Sequence, residues 1–310
     1  MSTRAAALSF ALTLCLVWPE PAVVAQSAAP PTRRITVSAV DKEGVPVPDL
    51  AAADLEVKIA GKVQKVIGIE PASGPLRIAV LVADGATGGF QAGLGQFVQK
   101  LYGRAEFQFT SVLVQPEKLG PWSKDRAGII PALNRLGPRG SQRTGAQVME
   151  AILEASKDVH AEATRPVILV ARIGGEGQSD LNPKIVRTEL QNSHAQLYVI
   201  SVAGANRAPS TTAESAASDP ASQARAQLAD SDASDSASNL ALILGDGSRD
   251  SGGRHVEVVS TTMIKAFTSV ADELLGQYDV TVTTPDNVKP TDRLSVSAKR
   301  KGLTVRAPAR

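Results

Sequence analysis

The sequence predicts an α/β protein, with a doubly wound, mostly parallel sheet flanked by helices and a small β domain built from both chain ends. Three observations carry this prediction. Apolar runs typical of buried parallel strands alternate with amphipathic helix patterns across residues 76–276. Alternating apolar and polar residues, typical of half-buried strands, precede and follow that region. Strands that alternate with helices pair in parallel through right-handed crossovers.

Residues 1–25 have the pattern of a signal peptide. Arg4 supplies the positive charge, an apolar stretch runs from Ala5 to Trp18, and small residues end at Ala25. The apolar stretch is too short for a transmembrane helix, and no later one is longer. We therefore expect a periplasmic or secreted protein with no transmembrane span after signal removal. A signal that is retained as an anchor is the alternative.

Composition narrows the classes of partner. The 310 residues include 33 basic and 31 acidic side chains, a balance that argues against a dedicated nucleic-acid binder. The single cysteine, Cys15, lies inside the predicted signal peptide, so the mature chain would contain none. Export without disulfides is common among proteins of the bacterial envelope.

The β domain is predicted in two parts. Residues 26–34 read as a flexible leader, and residues 35–72 form the first part. Apolar and polar residues alternate across 35–39 and again across 55–59, and 63–69 is a further strand candidate. The second part is expected over residues 277–308, where two alternating runs flank the basic turn Lys299-Arg300-Lys301-Gly302, a hairpin signal.

The α/β region is predicted over residues 76–276. Asn182 followed by Pro183 is a helix start signal, since asparagine caps and proline suits the first turn. Residues 209–238, rich in Ser, Ala and Asp, predict a disordered insertion. It is either a solvated insertion or a mobile contact loop. The expected strands are 78–83, 107–114, 166–171 and 197–202, and the expected helices begin near 90, 125, 148, 182 and 264.

The stretch from Leu76 to Phe90 is the one around which the region is organised. It is a continuous apolar run that ends at Asp84 in a glycine-rich turn and restarts as an amphipathic helix. In open α/β sheets, ligands bind at the loops that follow the carboxyl ends of the strands. We therefore expect the loop at Asp84 to be the functional place.

Three stretches, in their order and spacing, resemble a known family. They are VSAVDKEGVPVPDLAAADLEVKIAGKVQKV, PLRIAVLVADGATGG, and IKAFTSVADELLGQYDVTV with RLSVSAKRKGLTVRA. Together they are similar to the von Willebrand factor type A (VWFA)-related proteins of the exported acidobacterial type. The resemblance implies a VWA-like, Rossmann-like sheet. It also implies a metal-ion-dependent adhesion site (MIDAS), in which an Asp-x-Ser-x-Ser loop, a threonine and a second aspartate hold Mg²⁺.

Carried over position by position, that site is degenerate. Asp84 matches the first aspartate, Ala86 and Gly88 stand at the serine positions, Ala146 at the threonine and Arg172 at the second aspartate. Four of these five positions lack a ligand oxygen and one is a cation, so no metal and no cofactor is expected. Arg172 either pairs with Asp84 in place of the metal, or points to solvent while Asp84 caps its own turn.

The expected function follows from the resemblance and from missing catalytic motifs. Neither a phosphate-binding G-x-x-x-x-G-K-[ST] loop nor a G-x-S-x-G elbow is present, and the three histidines are isolated in sequence. We expect an exported, non-enzymatic interaction module, for adhesion or scaffolding, whose partner is a protein or an envelope component. The alternative is a metal-dependent adhesion protein that holds Mg or Ca through Asp84, Thr87, Thr144 and Asp180.

Overall fold

The computed structural model describes residues 31–138, 147–173, 179, 181–202, 234–285, 287–289 and 292–309. Pro31–Arg310 forms one compact unit. The predicted signal peptide, the loop with Ala146 and Thr144, and Asp180 lie outside the described residues. In the described part of the chain, no helix is long and apolar enough to cross a membrane.

The strands and helices that the sequence predicted occur in the predicted order, and the described chain has further elements between them. The strands are β1 (Thr32–Val40), β2 (Leu55–Ile59), β3 (Lys62–Gln64), β4 (Val66–Pro71), β5 (Leu76–Ala83), β6 (Ala105–Val112), β7 (Pro116–Lys118), β8 (Arg165–Ile173), β9 (Gln196–Val202), β10 (Arg254–Val258), β11 (Tyr278–Thr283), β12 (Leu294–Ala298) and β13 (Thr304–Arg306). The helices are α1 (Gln91–Leu101), α2 (Arg126–Arg135), α3 (Val148–Asp158), α4 (Pro183–Asn192), α5 (residues 234–250, with a π-helical turn at Ile243–Gly247) and α6 (Met263–Leu275).

Six strands form the main sheet, in the order β10-β9-β8-β5-β6-β7. All pair in parallel except the short edge strand β7, which is antiparallel to β6. The chain passes from β5 to β6 on one side and later returns to β8 on the other. The carboxyl ends of β5 and β8 therefore flank a topological switch point, where open α/β sheets place ligand crevices.

Helices cover both faces of this sheet. One face of β5 packs with α1, α2 and α6 in a single hydrophobic cluster, and the other face packs with α3, α4 and α5. The predicted α/β class, with helices flanking a mostly parallel sheet, is confirmed. Because both faces are buried, β5 and β8 read as continuous apolar runs in the sequence rather than as alternating ones.

Local signals explain where two helices begin. The Asn182 side chain accepts a hydrogen bond from the Lys184 amide at 2.9 Å, and Pro183 occupies the first turn of α4, as predicted. Residues 234–238, the end of the predicted disordered insertion, are instead helical, because α5 is anchored by Leu240 and the buried residues after it. Residues 209–233 lie outside the described part of the chain.

The two chain ends build two smaller sheets. One has the order β13-β1-β11-β4 and the other β12-β2-β3, so each contains strands from both ends. Side chains from both sheets, including Val37, Val57 and Val280, share one hydrophobic cluster. The alternating patterns predicted these strands. Their division into a separate β domain, at residues 35–72 and 277–308, stays a prediction, because Pro31–Arg310 is a single compact unit.

A buried charge cluster connects the main sheet to the C-terminal strand. Glu273 on α6 is 1% exposed, and its Oε1 accepts hydrogen bonds from the Tyr198 hydroxyl at 3.1 Å and from Arg306 Nε at 3.0 Å. Its Oε2 makes ionic contacts with Arg254 Nε at 2.9 Å and Arg306 Nη2 at 2.8 Å. Burial, followed by the charge of Glu273, raises the pKa of Tyr198, so the hydroxyl stays protonated and donates. We call these four residues the Glu273 cluster.

Glu273→Gln tests how much of the stability depends on this cluster. The change leaves two largely buried guanidinium groups without their anion, so we expect a loss of about 3 kcal/mol in the free energy of unfolding. Urea unfolding of the purified chain measures it. The matched control is the neighbouring Asp272→Asn, which removes an exposed pair with Lys100 and should cost less than about 1 kcal/mol. Equal losses in the two variants would contradict the account.

Candidate functional site

The loop that follows β5 is closed by its own aspartate. Asp84 is 5% exposed, and its Oδ1 accepts the Ala86 amide at 3.0 Å while its Oδ2 accepts the Gly88 amide at 2.8 Å. The Thr87 hydroxyl lies 3.5 Å from Oδ2 and donates to the Asp84 carbonyl at 3.0 Å. Both carboxylate oxygens are therefore used inside a five-residue turn. This is the capping role that the sequence offered as the alternative for Asp84.

The backbone of this turn disfavours a side chain at Gly88, one of the two positions where a metal site of the VWA type has a serine. Gly85, Ala86 and Gly88 all have positive φ, at 64°, 65° and 71°, a region that favours glycine. A Cβ atom at Gly88 would lie 2.6 Å from Cδ of Pro138, which belongs to the loop after α2. A serine at this position would meet both backbone strain and a direct collision.

Arg172 stands beside this turn at the end of β8. Its backbone pairs in register with Ala83, the residue before Asp84. Burial lowers the pKa of the Arg172 guanidinium. Among the ion pairs of the described residues, however, none joins Arg172 to Asp84, so the predicted pair is not found. Each oxygen of that carboxylate already accepts an amide of the turn.

A polar pair that the sequence did not predict lies on the next two strands. The Ser201 hydroxyl on β9 is 2.9 Å from Nε2 of His255 on β10, and Ser201 pairs in register with Arg172. Burial lowers the pKa of His255, and the nearby Arg172 charge lowers it further against the opposing effect of Glu257. The imidazole is therefore held in its neutral form near pH 7. The sequence did not predict this pair because it did not predict β10, whose residues are too polar to be recognised as a strand.

The serine and the histidine do not form a catalytic triad. Ser201 is 7% exposed and lies within a strand rather than on an open turn. In the described part of the chain, no carboxylate is hydrogen-bonded to the His255 ring. Without a group to orient the imidazole, the pair has the geometry of a structural hydrogen bond.

Two neighbouring helices are tied together close to this edge. The Ser179 hydroxyl donates to Glu150 Oε1 at the start of α3, at 2.8 Å. The Ser236 hydroxyl on α5 donates to the Ser179 carbonyl at 2.9 Å. These contacts fix the first turns of both helices on the same face of the sheet. Ala146, Thr144 and Asp180, which the sequence placed in or near the metal site, lie outside the described residues.

The described residues at this edge do not fit the metal that the family resemblance implies. Mg²⁺ and Ca²⁺ require several hard oxygen ligands. Here Asp84 is occupied by backbone amides, Ala86 and Gly88 offer no side-chain oxygen, and Arg172 adds a positive charge. Across the described ranges, no group of three or more His, Cys, Asp or Glu side chains is placed to hold a metal ion.

Comparisons with known proteins add similarities of fold. No protein-family model matches the sequence, and no curated protein matches it. The structure is similar to a conserved hypothetical protein BatB from Bacteroides thetaiotaomicron, at 14% identity and a TM-score of 0.43, over 64% of this chain and 97% of that one. It is also similar to a von Willebrand factor type A protein from Catenulispora acidiphila, at 12% identity and a TM-score of 0.42, over 90% and 73%.

A third similar structure is proximal thread matrix protein 1 from the mussel byssus, whose own MIDAS motif is occupied by zinc. The match has 11% identity and a TM-score of 0.44, over 68% of this chain and 48% of that one. TM-scores below 0.5 do not establish a shared function. The functional conclusions are therefore drawn from the residues of this chain alone.

Gly88→Ser, which restores the side chain of the family pattern, tests whether the turn is closed to a metal site. Positive φ and the collision with Pro138 should lower the free energy of unfolding by about 1–3 kcal/mol, measured in urea. Gly89→Ser is the control, because a Cβ there meets nothing closer than 3.4 Å and should cost little. A Gly88→Ser variant as stable as Gly89→Ser would show that the turn accepts a serine.

Proposed function

We propose that the chain is an exported, non-enzymatic interaction module of the adhesion or scaffold type, with a VWA-like domain whose metal site is lost. Its partner is a protein or an envelope component. The observation that carries this proposal is the closed Asp84 turn, in which both carboxylate oxygens accept backbone amides. A side chain used in this way holds the loop in shape, and each of its two oxygens already accepts a hydrogen bond.

The position of the turn supports a contact role. The loops after β5 and β8 leave the sheet at its topological switch point, and the loop after α2 reaches the same place, because Pro138 lies against Gly88. The loop after β9 begins at this edge too. In this proposal the partner is held by side chains of these loops and by Arg172 near the end of β8, at the place where a metal ion would otherwise stand.

The organisation of the rest of the chain supports the same proposal. The Glu273 cluster joins the C-terminal strand β13 and helix α6 to the main sheet, which carries the loops. We propose that these strands form a β domain from residues 35–72 and 277–308. We also propose that residues 1–25 are a signal peptide, which places the mature protein in the periplasm or outside the cell.

A metal-dependent adhesion protein with altered ligands is the second candidate. One observation favours it, namely the Thr87 hydroxyl 3.5 Å from Asp84 Oδ2, which places two oxygen-bearing side chains together. The other candidate ligands of this set are Thr144 and Asp180. In this alternative the turn opens, and Asp84 exchanges its backbone amides for Mg²⁺ or Ca²⁺.

Calorimetry separates the two candidates. We expect titration of MgCl₂, MnCl₂ or CaCl₂ into the wild-type chain to give no saturable heat, because the Asp84 carboxylate is already occupied. Asp84→Asn is the matched variant, since it removes the charge and keeps one side-chain oxygen for the turn. Saturable binding by the wild type that is lost in Asp84→Asn would overturn the proposal and establish the metal-dependent alternative.

A further inference from the structure

A second candidate site lies at the amino ends of the main-sheet strands, opposite to the carboxyl ends where the Asp84 turn lies. There a cleft of about 360 Å³ opens between β1 and the first residues of β8 and β9. Its lining residues include three arginines, Arg33, Arg34 and Arg165, together with His194. Among the described residues that line it, none is acidic. The cleft therefore combines a concave shape with an excess of hydrogen-bond donors.

Arg165 forms the fixed wall of this cleft. Its Nε donates to the Gly74 carbonyl at 2.8 Å, and its Nη1 donates to the Leu274 carbonyl and to Gln277 Oε1, both at 3.0 Å. These three bonds hold the guanidinium in one orientation. Arginine carries no acceptor, so it also dictates which end of the Gln277 amide faces it.

The orientation of Arg165 in turn determines the orientation of two glutamine side-chain amides, Gln277 and Gln196. Since Gln277 turns its oxygen to Arg165, its nitrogen must point the other way, and it donates to Ser38 Oγ at 3.0 Å and to Gln196 Oε1 at 2.6 Å. Gln196 therefore has its oxygen toward Gln277 and its NH₂ group on the far side. An exchange of the two ends of either amide would set donor against donor.

The N–H donors of the Gln196 side-chain amide have no acceptor among the described residues. Gln196 is 5% exposed and is one of the residues that line the cleft, and its Nε2 atom is buried in the wall with no hydrogen-bond partner among the described residues. A buried donor without an acceptor costs about 1–3 kcal/mol, and a ligand oxygen would remove that cost. The unsatisfied donor and the guanidinium groups favour the same kind of ligand, one that carries acceptor oxygens and negative charge.

The charge at the mouth of the cleft is only partly neutralised. Arg34 Nη1 lies 4.0 Å from Asp279 Oδ2, and the Arg34 side chain is 68% exposed. Asp279 is also occupied by the Thr36 hydroxyl, which donates to it at 2.9 Å. In the described part of the chain, no carboxylate forms an ion pair with Arg33. Arg33 and Arg34 thus add positive charge to the lining of the cleft, in addition to the fixed Arg165.

We infer that this cleft binds an oxyanion, a phosphate or carboxylate group, between Arg33, Arg34 and Arg165, with Gln196 donating to one of its oxygens. Guanidinium groups match both oxyanions, because their paired N–H donors align with two oxygens of one group. The inference is independent of the proposed function, since the cleft and the Asp84 turn lie at opposite ends of the strands. A chain that binds its partner by the loops would carry this ligand at its other edge.

Calorimetry with sodium phosphate and with citrate, at low ionic strength and on the full chain, tests the inference. We expect saturable binding that weakens as salt is added. The double variant Arg33→Gln, Arg34→Gln should weaken it about tenfold or more, and both residues are at the rim, so the fold is retained. The control Arg249→Gln changes an arginine with a 78% exposed side chain outside the cleft and should leave the affinity unchanged.

The outcomes decide both the site and the ligand class. Tighter binding of phosphate assigns a phosphate-bearing ligand, and tighter binding of citrate assigns a carboxylate. In the same calorimetry, Gln196→Leu should weaken binding, because the variant has no amide to donate to the ligand. Thermal melting of this variant and of the wild type shows whether its fold is retained. No saturable binding of either anion would overturn the inference. Equal weakening in the double variant and in Arg249→Gln would also overturn it, because the effect would then be one of net charge.

Discussion

The fold depends on how one buried carboxylate is satisfied. Glu273 is 1% exposed, and a charge at that depth is tolerated only when partners surround it. Its partners come from β9, β10 and β13, so α6, the main sheet and the C-terminal strand have to be in place together. The cluster links the small sheet that contains β13 to the α/β region within the compact unit Pro31–Arg310.

The carboxyl ends and the amino ends of the main-sheet strands therefore differ in the chemical groups that they present. At the carboxyl edge, Asp84 turns inward and gives its oxygens to its own loop, so that edge offers shape and side chains rather than an ion. At the amino edge, the chain of bonds from Arg165 through Gln277 ends in an unsatisfied donor on Gln196. At one end of the strands a carboxylate is bonded to its own turn, and at the other end a buried donor has no acceptor among the described residues.

The sequence predicted most of what is local. Continuous apolar runs located β5 and β8, Asn182 and Pro183 located the start of α4, and the break at Asp84 located the turn. What it missed depends on pairs that are far apart in the chain. Ser201 meets His255 only because β9 and β10 pair, and Gly88 is enclosed only because Pro138 packs against it. Among the described residues no ion pair joins Asp84 to Arg172, and the Ala86 and Gly88 amides that bond to Asp84 are close to it in the chain.

Crystallography with manganese tests the central claim, that the Asp84 turn is closed to metal ions, most directly. Crystals grown with Mn²⁺ and measured where manganese scatters anomalously would locate any bound ion without assumptions about heat or affinity. The account predicts no anomalous peak within about 2.5 Å of the Asp84 carboxylate, the reach of a direct metal–oxygen bond. A peak bonded to Asp84, with the Ala86 and Gly88 amides released from it, would contradict the account.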